Sequence, residues 1–168
     1  MYDFEPIFEK VANRLSGRQV ALAIRDTLSL SVMTGVCYKT GASTMMVEIK
    51  ERGRDIDYQY ETMLHETSHA LWDFDRYAIQ PKSRWLRPPG SDDQHWEQTP
   101  DEFTEYEASP SETLANKQTE YWQACTNFID DRYGHLGRSE CVYRKCLALL
   151  VLPLDELIHY TNTDSEGK

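Results

Sequence analysis

Hydrophobic positions recur at helical spacing in four segments of this chain. In residues 4–16, apolar side chains stand at positions 4, 7, 8, 11, 12 and 15. They share one helix face, and Gly17 follows as a residue suited to end the helix. Similar spacing predicts helices over residues 57–73, 109–129 and 139–152, the last of which stops before a proline.

Capping residues support the starts of two of these helices. Asp55 or Asp57 can cap the helix predicted over 57–73. Ser109 can cap the next helix, with Pro110 at its first position. Glu112 lies three residues after Ser109, which is the spacing of a capping box. This structural role for Glu112 competes with a chemical role considered below.

Strand patterns are fewer than helix patterns. Residues 44–50, "TMMVEIK", form the best strand candidate. Residues 18–24, "RQVALAI", fit either a strand or a helix that continues beyond them. Residues 37–43, "CYKTGAS", indicate a turn. Residues 78–108 contain four of the seven prolines and predict a long loop or lid, because loops of this length usually have a function or are disordered.

Length and charge narrow the class of protein. The 168 residues suit one α+β domain over residues 1–168, with its core at about 18–152 and a frayed tail at 161–168. The formal net charge is −10. This charge argues against nucleic acid as a partner, since such partners favour clusters of Lys and Arg.

Targeting and redox features predict a cytoplasmic protein. The N-terminal "MYDFEPIFEK" is acidic and lacks the apolar centre of a signal peptide. No segment approaches the roughly 18–20 consecutive apolar residues needed to span a membrane. The four cysteines include no C-x-x-C pair, and we expect them to be reduced thiols.

Residues 65–69 read His-Glu-Thr-Ser-His, an H-E-x-x-H motif within the helix predicted over 57–73. Residues four apart lie on the same helix face, so His65 and His69 can bind one cation, with Zn–N distances of about 2.0–2.1 Å. Glu66 is rotated by about 100° from His65, which keeps it off the metal but beside a bound water. A carboxylate there can take the proton of the water that attacks a carbonyl and pass it to the leaving amine. The motif therefore predicts zinc, two ligands and a general base.

A catalytic zinc usually has three protein ligands and an open fourth position. The residues that could supply the third ligand by type are His95, Glu97, Glu102, Glu105, Glu107, Glu112, Asp130 and His135. We favour Glu112 because it shares a helix face with Asn116, which could hydrogen-bond the far nitrogen of a ligand histidine. Ala115 is small and would let the two helices approach closely. Asp73, four residues after His69, could support a ligand in the same outer position.

The segments "HETSHALW" and "SPSETLANKQTEYW" resemble zincin-fold metallopeptidases of the glutamate-ligand (gluzincin) type. More narrowly, they are similar to the ImmA/IrrE-type domains of mobile elements, which carry H-E-x-x-H and then E-x-x-A-N. The resemblance implies zinc bound by His65, His69 and Glu112, with Glu66 as base. It also implies a small mixed sheet packed on the motif helix and on a second, glutamate-bearing helix. A weaker resemblance, of "DDRYG" to aspartate-ligand zincins, would make Asp130 the third ligand.

The activity that these features predict is zinc-dependent hydrolysis of peptide bonds in a protein substrate, which the resemblance suggests is a regulator. Tyr133, His135, His95 and Tyr106 could stabilise the developing oxyanion by type. The alternative is a zincin-fold binding or inhibitory protein of a phage or mobile element, with a structural or vestigial zinc site. Glu66 favours the enzyme, because a purely structural site has no use for that carboxylate.

Overall fold

The chain has an α+β fold, seen in a computed structural model that describes residues 2–25, 34–51, 55–76 and 110–158. The predicted α+β class is confirmed by a three-stranded sheet combined with helices. The loop or lid predicted at 78–108 and the tail at 161–168 lie outside the described residues, as does Ser109.

Three strands form a mixed sheet in the order β1-β3-β2. β1 (Gln19–Arg25) runs parallel to β3 (Thr44–Lys50), and β2 (Gly35–Lys39) runs antiparallel to β3. Successive side chains of a strand point to opposite faces, so one face can be buried by alternate residues. The residues of that face that enter the hydrophobic core are Val20, Leu22, Cys37, Met45, Val47 and Ile49. The strand predicted over 44–50 is confirmed, and residues 19–24 of the ambiguous segment 18–24 belong to a strand.

The turn predicted over 37–43 is wrong in its first half. Residues up to Lys39 belong to β2, and the chain turns between Lys39 and Thr44. The Thr40 N–H donates to the Thr44 carbonyl at 2.9 Å, which closes this hairpin. Val36, Cys37 and Tyr38 are all buried, so packing on both faces of the sheet holds this short segment extended.

Helix α1 (Phe4–Ser16) matches its prediction. Asp3 caps its start, and Gly17 ends it with a φ of 65°, a left-handed conformation that glycine adopts without strain. The apolar positions recognised in the sequence form its buried face: Ile7, Phe8, Val11, Ala12 and Leu15. The core therefore begins at Ile7 and not at residue 18, because this amphipathic face packs against β1 and the next helix.

Helix α2 (Ile56–Trp72) carries the H-E-x-x-H motif and lies at the centre of the fold. The Asp55 carboxylate accepts a hydrogen bond from the Tyr58 N–H at 2.8 Å, so Asp55 is the cap. Asp57 instead binds the guanidinium of Arg138, at 2.6 and 2.8 Å. The helix packs against α1, β2 and β3. The predicted packing of a small mixed sheet on the motif helix is confirmed.

The C-terminal half adds helices that cover α2. These are α3 (Pro110–Thr126), α4 (Phe128–Tyr133), α5 (Arg138–Val151) and α6 (Leu154–Leu157). Both α3 and α5 pack on α2. The buried Trp122 of α3 donates its indole N–H to the Leu157 carbonyl at 2.7 Å, and Leu157 itself is buried. This hydrogen bond and the burial of Leu157 extend the core past residue 152, where it was predicted to end.

Two expectations from the sequence concern the cysteines and membrane-spanning helices. All four cysteines are free, as expected: Cys37, Cys125, Cys141 and Cys146. Within the described ranges, no helix combines the length and the apolar composition that crossing a membrane requires.

Candidate metal centre

The packing of α3 on α2 brings together three side chains that could hold a metal ion: His65, His69 and Glu112. One ligand atom from each lies within 4.8 Å of the other two. The Nε2 atom of His69 is 2.7 Å from Oε1 of Glu112, and Nε2 of His65 is 3.0 Å from Oε2 of the same carboxylate. The residue favoured in the sequence as the third ligand therefore meets both histidines.

The spacing of the two imidazole nitrogens fits a tetrahedral ion. Bonds of about 2.0–2.1 Å at tetrahedral angles place neighbouring ligand atoms about 3.3 Å apart. The Nε2 atoms of His65 and His69 are 3.2 Å apart, close to that value. Both nitrogens also face the Glu112 carboxylate, so two nitrogens and a carboxylate point at one place. This donor set suits zinc, which is bound in proteins by imidazole nitrogen and carboxylate oxygen.

Asp73 contacts His69 at Nδ1, the ring nitrogen that does not face Glu112. Its Oδ2 atom is 2.8 Å from Nδ1 of His69, and both side chains are buried. Ser111, at the start of α3, donates its hydroxyl to the same Oδ2 at 2.7 Å. A hydrogen bond of this kind fixes the orientation and tautomer of a ligand histidine, because it places the proton on Nδ1 and leaves Nε2 for the metal. The outer position predicted for Asp73 agrees with this geometry.

Glu66 lies beside the three candidate ligands without belonging to them. It is 7% exposed, and burial raises the pKa of its carboxyl group above the ordinary value. Strand β2 passes directly against it: a Cβ atom added to Gly35 would lie 3.2 Å from Cγ of Glu66 and 2.4 Å from Cγ2 of Thr62. Glycine at position 35 therefore allows the backbone of β2 to approach Glu66 closely.

The three candidate ligands shift one another's pKa values. Burial lowers the pKa of His69, but its hydrogen bonds to Asp73 and Glu112 raise it more, to about 10. Burial raises the pKa of Glu112, but hydrogen bonds from His65 and His69 bring it well below its ordinary value. The pKa of His65 is raised, since contact with Glu112 and Glu66 outweighs its burial. The site therefore favours positive charge at the point where the imidazoles and the carboxylate meet.

The site is most accessible at His65. Its side chain is 22% exposed, whereas those of His69 and Glu112 are 5% and 8% exposed. A catalytic metal needs one position open to water or substrate. Among the three candidate ligands, His65 is therefore the one that solvent reaches most easily.

Asp130 is placed elsewhere, against the interpretation that made it the third ligand. Its Oδ2 atom is 2.8 Å from Nζ of Lys145, and its Oδ1 atom is 2.9 Å from a guanidinium nitrogen of Arg138. These cations lower the pKa of the Asp130 carboxyl group despite partial burial. Asp130 thus joins α4 to α5 and stands apart from the histidines of α2.

Three other residues named from the sequence do not join the cluster. Asn116 is exposed, and Asp73 with Ser111 takes the place beside His69 that Asn116 was expected to occupy. Tyr133 lies under the guanidinium of Arg144, with 4.1 Å between Cζ and the ring centroid. His135 is exposed in the short 3₁₀ turn Gly134–Leu136.

The remaining candidates from the sequence lie outside the described residues: His95, Glu97, Glu102, Glu105, Tyr106 and Glu107. Two residues near the site were missed by the sequence analysis, Ser111 and Gly35. Neither has a local signal, because each acts through contact with a distant element. Ser111 precedes Glu112, however, so the choice of Glu112 as a ligand could have drawn attention to it.

No family model matches the chain, and no curated protein or solved structure is significantly similar to it.

Proposed function

We propose that this protein is a zinc-dependent peptidase with His65, His69 and Glu112 as metal ligands and Glu66 as general base. The observation that carries the proposal is the convergence of two Nε2 atoms and one carboxylate within 4.8 Å, with a buried glutamate next to them in the chain. Three nitrogen and oxygen ligands are typical of catalytic zinc, whereas structural zinc usually has four ligands, with cysteine among them. The resemblance of "HETSHALW" and "SPSETLANKQTEYW" to gluzincins of the ImmA/IrrE type points the same way.

Glu66 has the properties that proton transfer requires. Zinc bound at such a site would polarise a substrate carbonyl and lower the pKa of a water molecule. Glu66 accepts the proton of the attacking water and returns it to the leaving amine. Burial raises the pKa of Glu66 above its ordinary value, which is the direction that favours a general base.

Strand β2 supports a peptide as the substrate. The Lys50 N–H donates to the Thr34 carbonyl, and Gly35 lies opposite Ile49. Hydrogen-bonded and non-hydrogen-bonded pairs alternate in antiparallel strands, so Gly35 and Cys37 direct their N–H and C=O groups away from β3. Among the described strands, none lies beyond β2. An extended peptide could therefore add to this edge, beside Glu66, through backbone hydrogen bonds.

The proposal is tested by replacing the base and leaving the ligands intact. The Glu66→Gln variant keeps the shape of the side chain but cannot accept a proton. We expect about one zinc ion per chain in both proteins, and loss of at least about 100-fold of the cleavage rate in the variant. The substrate is a library of peptides derived from cell protein, and mass spectrometry counts the new termini.

Two outcomes would contradict the proposal. A parent protein that binds no zinc has no metal centre of this kind. If the Glu66→Gln variant cleaves the library as fast as the parent, Glu66 is not the base. Zinc binding by a parent protein that yields no new termini would favour the alternative of a binding or inhibitory protein with a structural zinc.

The free cysteines support the further proposal that the protein works in the reducing cytoplasm.

A further inference from the structure

Two adjacent residues of α3 reach opposite sides of one imidazole. Glu112 approaches Nε2 of His69, at 2.7 Å. Ser111 lies at the other end of the ring, with its hydroxyl 3.3 Å from Nδ1 and 2.7 Å from Oδ2 of Asp73. The first turn of α3 therefore contacts His69 directly at one nitrogen and through Asp73 at the other.

The donors and acceptors in this cluster allow one arrangement that suits metal binding. Nδ1 of His69 donates to Oδ2 of Asp73 at 2.8 Å. A serine hydroxyl has one proton to donate, and Ser111 directs it to the same Oδ2 atom. Oδ2 then accepts two hydrogen bonds, one from His69 and one from Ser111. The lone pair of His69 is left at Nε2, the atom that faces Glu112.

Asp73 lies where the end of α2 meets the start of α3. Asp73 follows the last residue of α2, and its backbone N–H donates to the His69 carbonyl at 2.9 Å. Its side chain is buried at the place where the start of α3 packs on the end of α2. The hydroxyl of Ser111 joins the end of α2 to the start of α3 there. The N-terminal end of α3 also favours negative charge beside it.

We propose that Ser111 is a positioning residue of the metal centre, which orients Asp73 and so couples the docking of α3 to the affinity of His69 for zinc. The inference rests on the proposed zinc site. In a merely structural role, the Ser111 hydroxyl would join two helices without affecting the metal. Metal affinity, measured independently of catalysis, separates these roles.

The experiment compares Ser111→Ala with the parent protein and with Asn116→Ala. Asn116 lies on the same helix but is exposed, so its replacement is a matched control. Zinc affinity is measured by competition with a chromophoric chelator, and circular dichroism checks that each variant is folded. We expect the Kd for zinc to rise about tenfold in Ser111→Ala, the lower end of the effect of removing an outer partner of a metal ligand. Asn116→Ala should leave the Kd unchanged.

A second variant and a spectrum make the test specific. Ser111→Thr keeps the hydroxyl and should recover most of the zinc affinity. The visible spectrum of bound Co²⁺ should change in Ser111→Ala, because the His69 ring is held less firmly, and should return towards that of the parent in Ser111→Thr.

The possible failures are distinguishable. If the parent binds no zinc, the proposed function fails and this inference fails with it. If the parent binds zinc but the Kd of Ser111→Ala stays within about twofold of it, only this inference is overturned. Equal weakening by Asn116→Ala, or no recovery in Ser111→Thr, would also overturn it.

Discussion

His69 shows most clearly how protons and a metal compete at the proposed centre. Its folded pKa, about 10, lies above the ordinary value of 6.5. Its protonation therefore stabilises the metal-free fold fully below about pH 6.5, and this stabilisation is lost as the pH rises towards 10. Glu112 has a lowered pKa, so its contribution is present above its ordinary value of 4.5 and is lost in acid. Both groups thus stabilise the metal-free fold most between these two ordinary values.

Zinc must displace the proton from Nε2 of His69, so its stabilising effect should depend on pH in the opposite direction. We predict that the increase in Tm caused by zinc grows between about pH 6 and about pH 8, because fewer protons have to be displaced as the pH rises. Differential scanning fluorimetry with and without added zinc measures this difference. An increase in Tm that is constant or shrinks over that range would argue against metal binding at the imidazole nitrogens.

At the scale of elements, the site depends on how closely β2 and α3 approach α2. The periodic apolar positions were enough to predict α1 and α2. Helix α1 buries one continuous face, and helix α2 buries most of its surface. They could not predict β2, because a five-residue strand held by packing on both faces has no period of its own. Nor could they show that Ser111 meets Asp73, since that contact joins residues 38 positions apart. Glu112 was favoured because its spacing from Asn116 suggested a shared helix face and because the resemblance implied it, but Asn116 itself proved to be exposed.

The contact between β2 and α2 leads to a prediction for Gly35→Ala. The added Cβ would lie 2.4 Å from Cγ2 of Thr62, so the Thr62 side chain, the strand or the helix must shift. We expect a loss of about 1–3 kcal/mol in the free energy of unfolding, typical of overpacking a core, together with reduced peptidase activity. Urea denaturation measures the loss.

Two further variants show whether the contact between position 35 and Thr62 causes the loss of stability. Gly134→Ala is the control, since an added Cβ there meets nothing within 4 Å, and its stability should change little. Adding Thr62→Ser to Gly35→Ala removes the methyl group that clashes and should restore part of the stability. A Gly35→Ala variant as stable and active as the parent would show that β2 does not need to lie so close to Glu66.

At the scale of the whole molecule, the proposed centre joins the two halves of the chain. His65 and His69 lie on a helix that packs on the sheet, whereas Glu112 lies on a helix whose Trp122 is hydrogen-bonded to Leu157 of α6. A metal bound between them ties α2 to α3 in the folded state and cannot do so in the unfolded chain. The sequence could predict the α+β class from its helix and strand patterns, but the packing of one half on the other required the structure.

This connection predicts that zinc stabilises the entire fold. With zinc at about 100 times its Kd, the free energy of unfolding should increase by about 2.7 kcal/mol, which corresponds to a rise in Tm of about 5–10 °C for a chain of this size. Thermal unfolding followed by circular dichroism, before and after treatment with a chelator, measures the change. An unchanged Tm would mean that the metal does not join the two helices.

The central claim is that His65, His69 and Glu112 together bind zinc, and a zinc titration of the parent protein beside Glu112→Ala tests it most directly. In a competition assay with a chromophoric chelator, we expect about one zinc ion per parent chain and binding at least about tenfold weaker in the variant. A parent protein that binds no zinc, or a Glu112→Ala variant that retains full affinity, would contradict it.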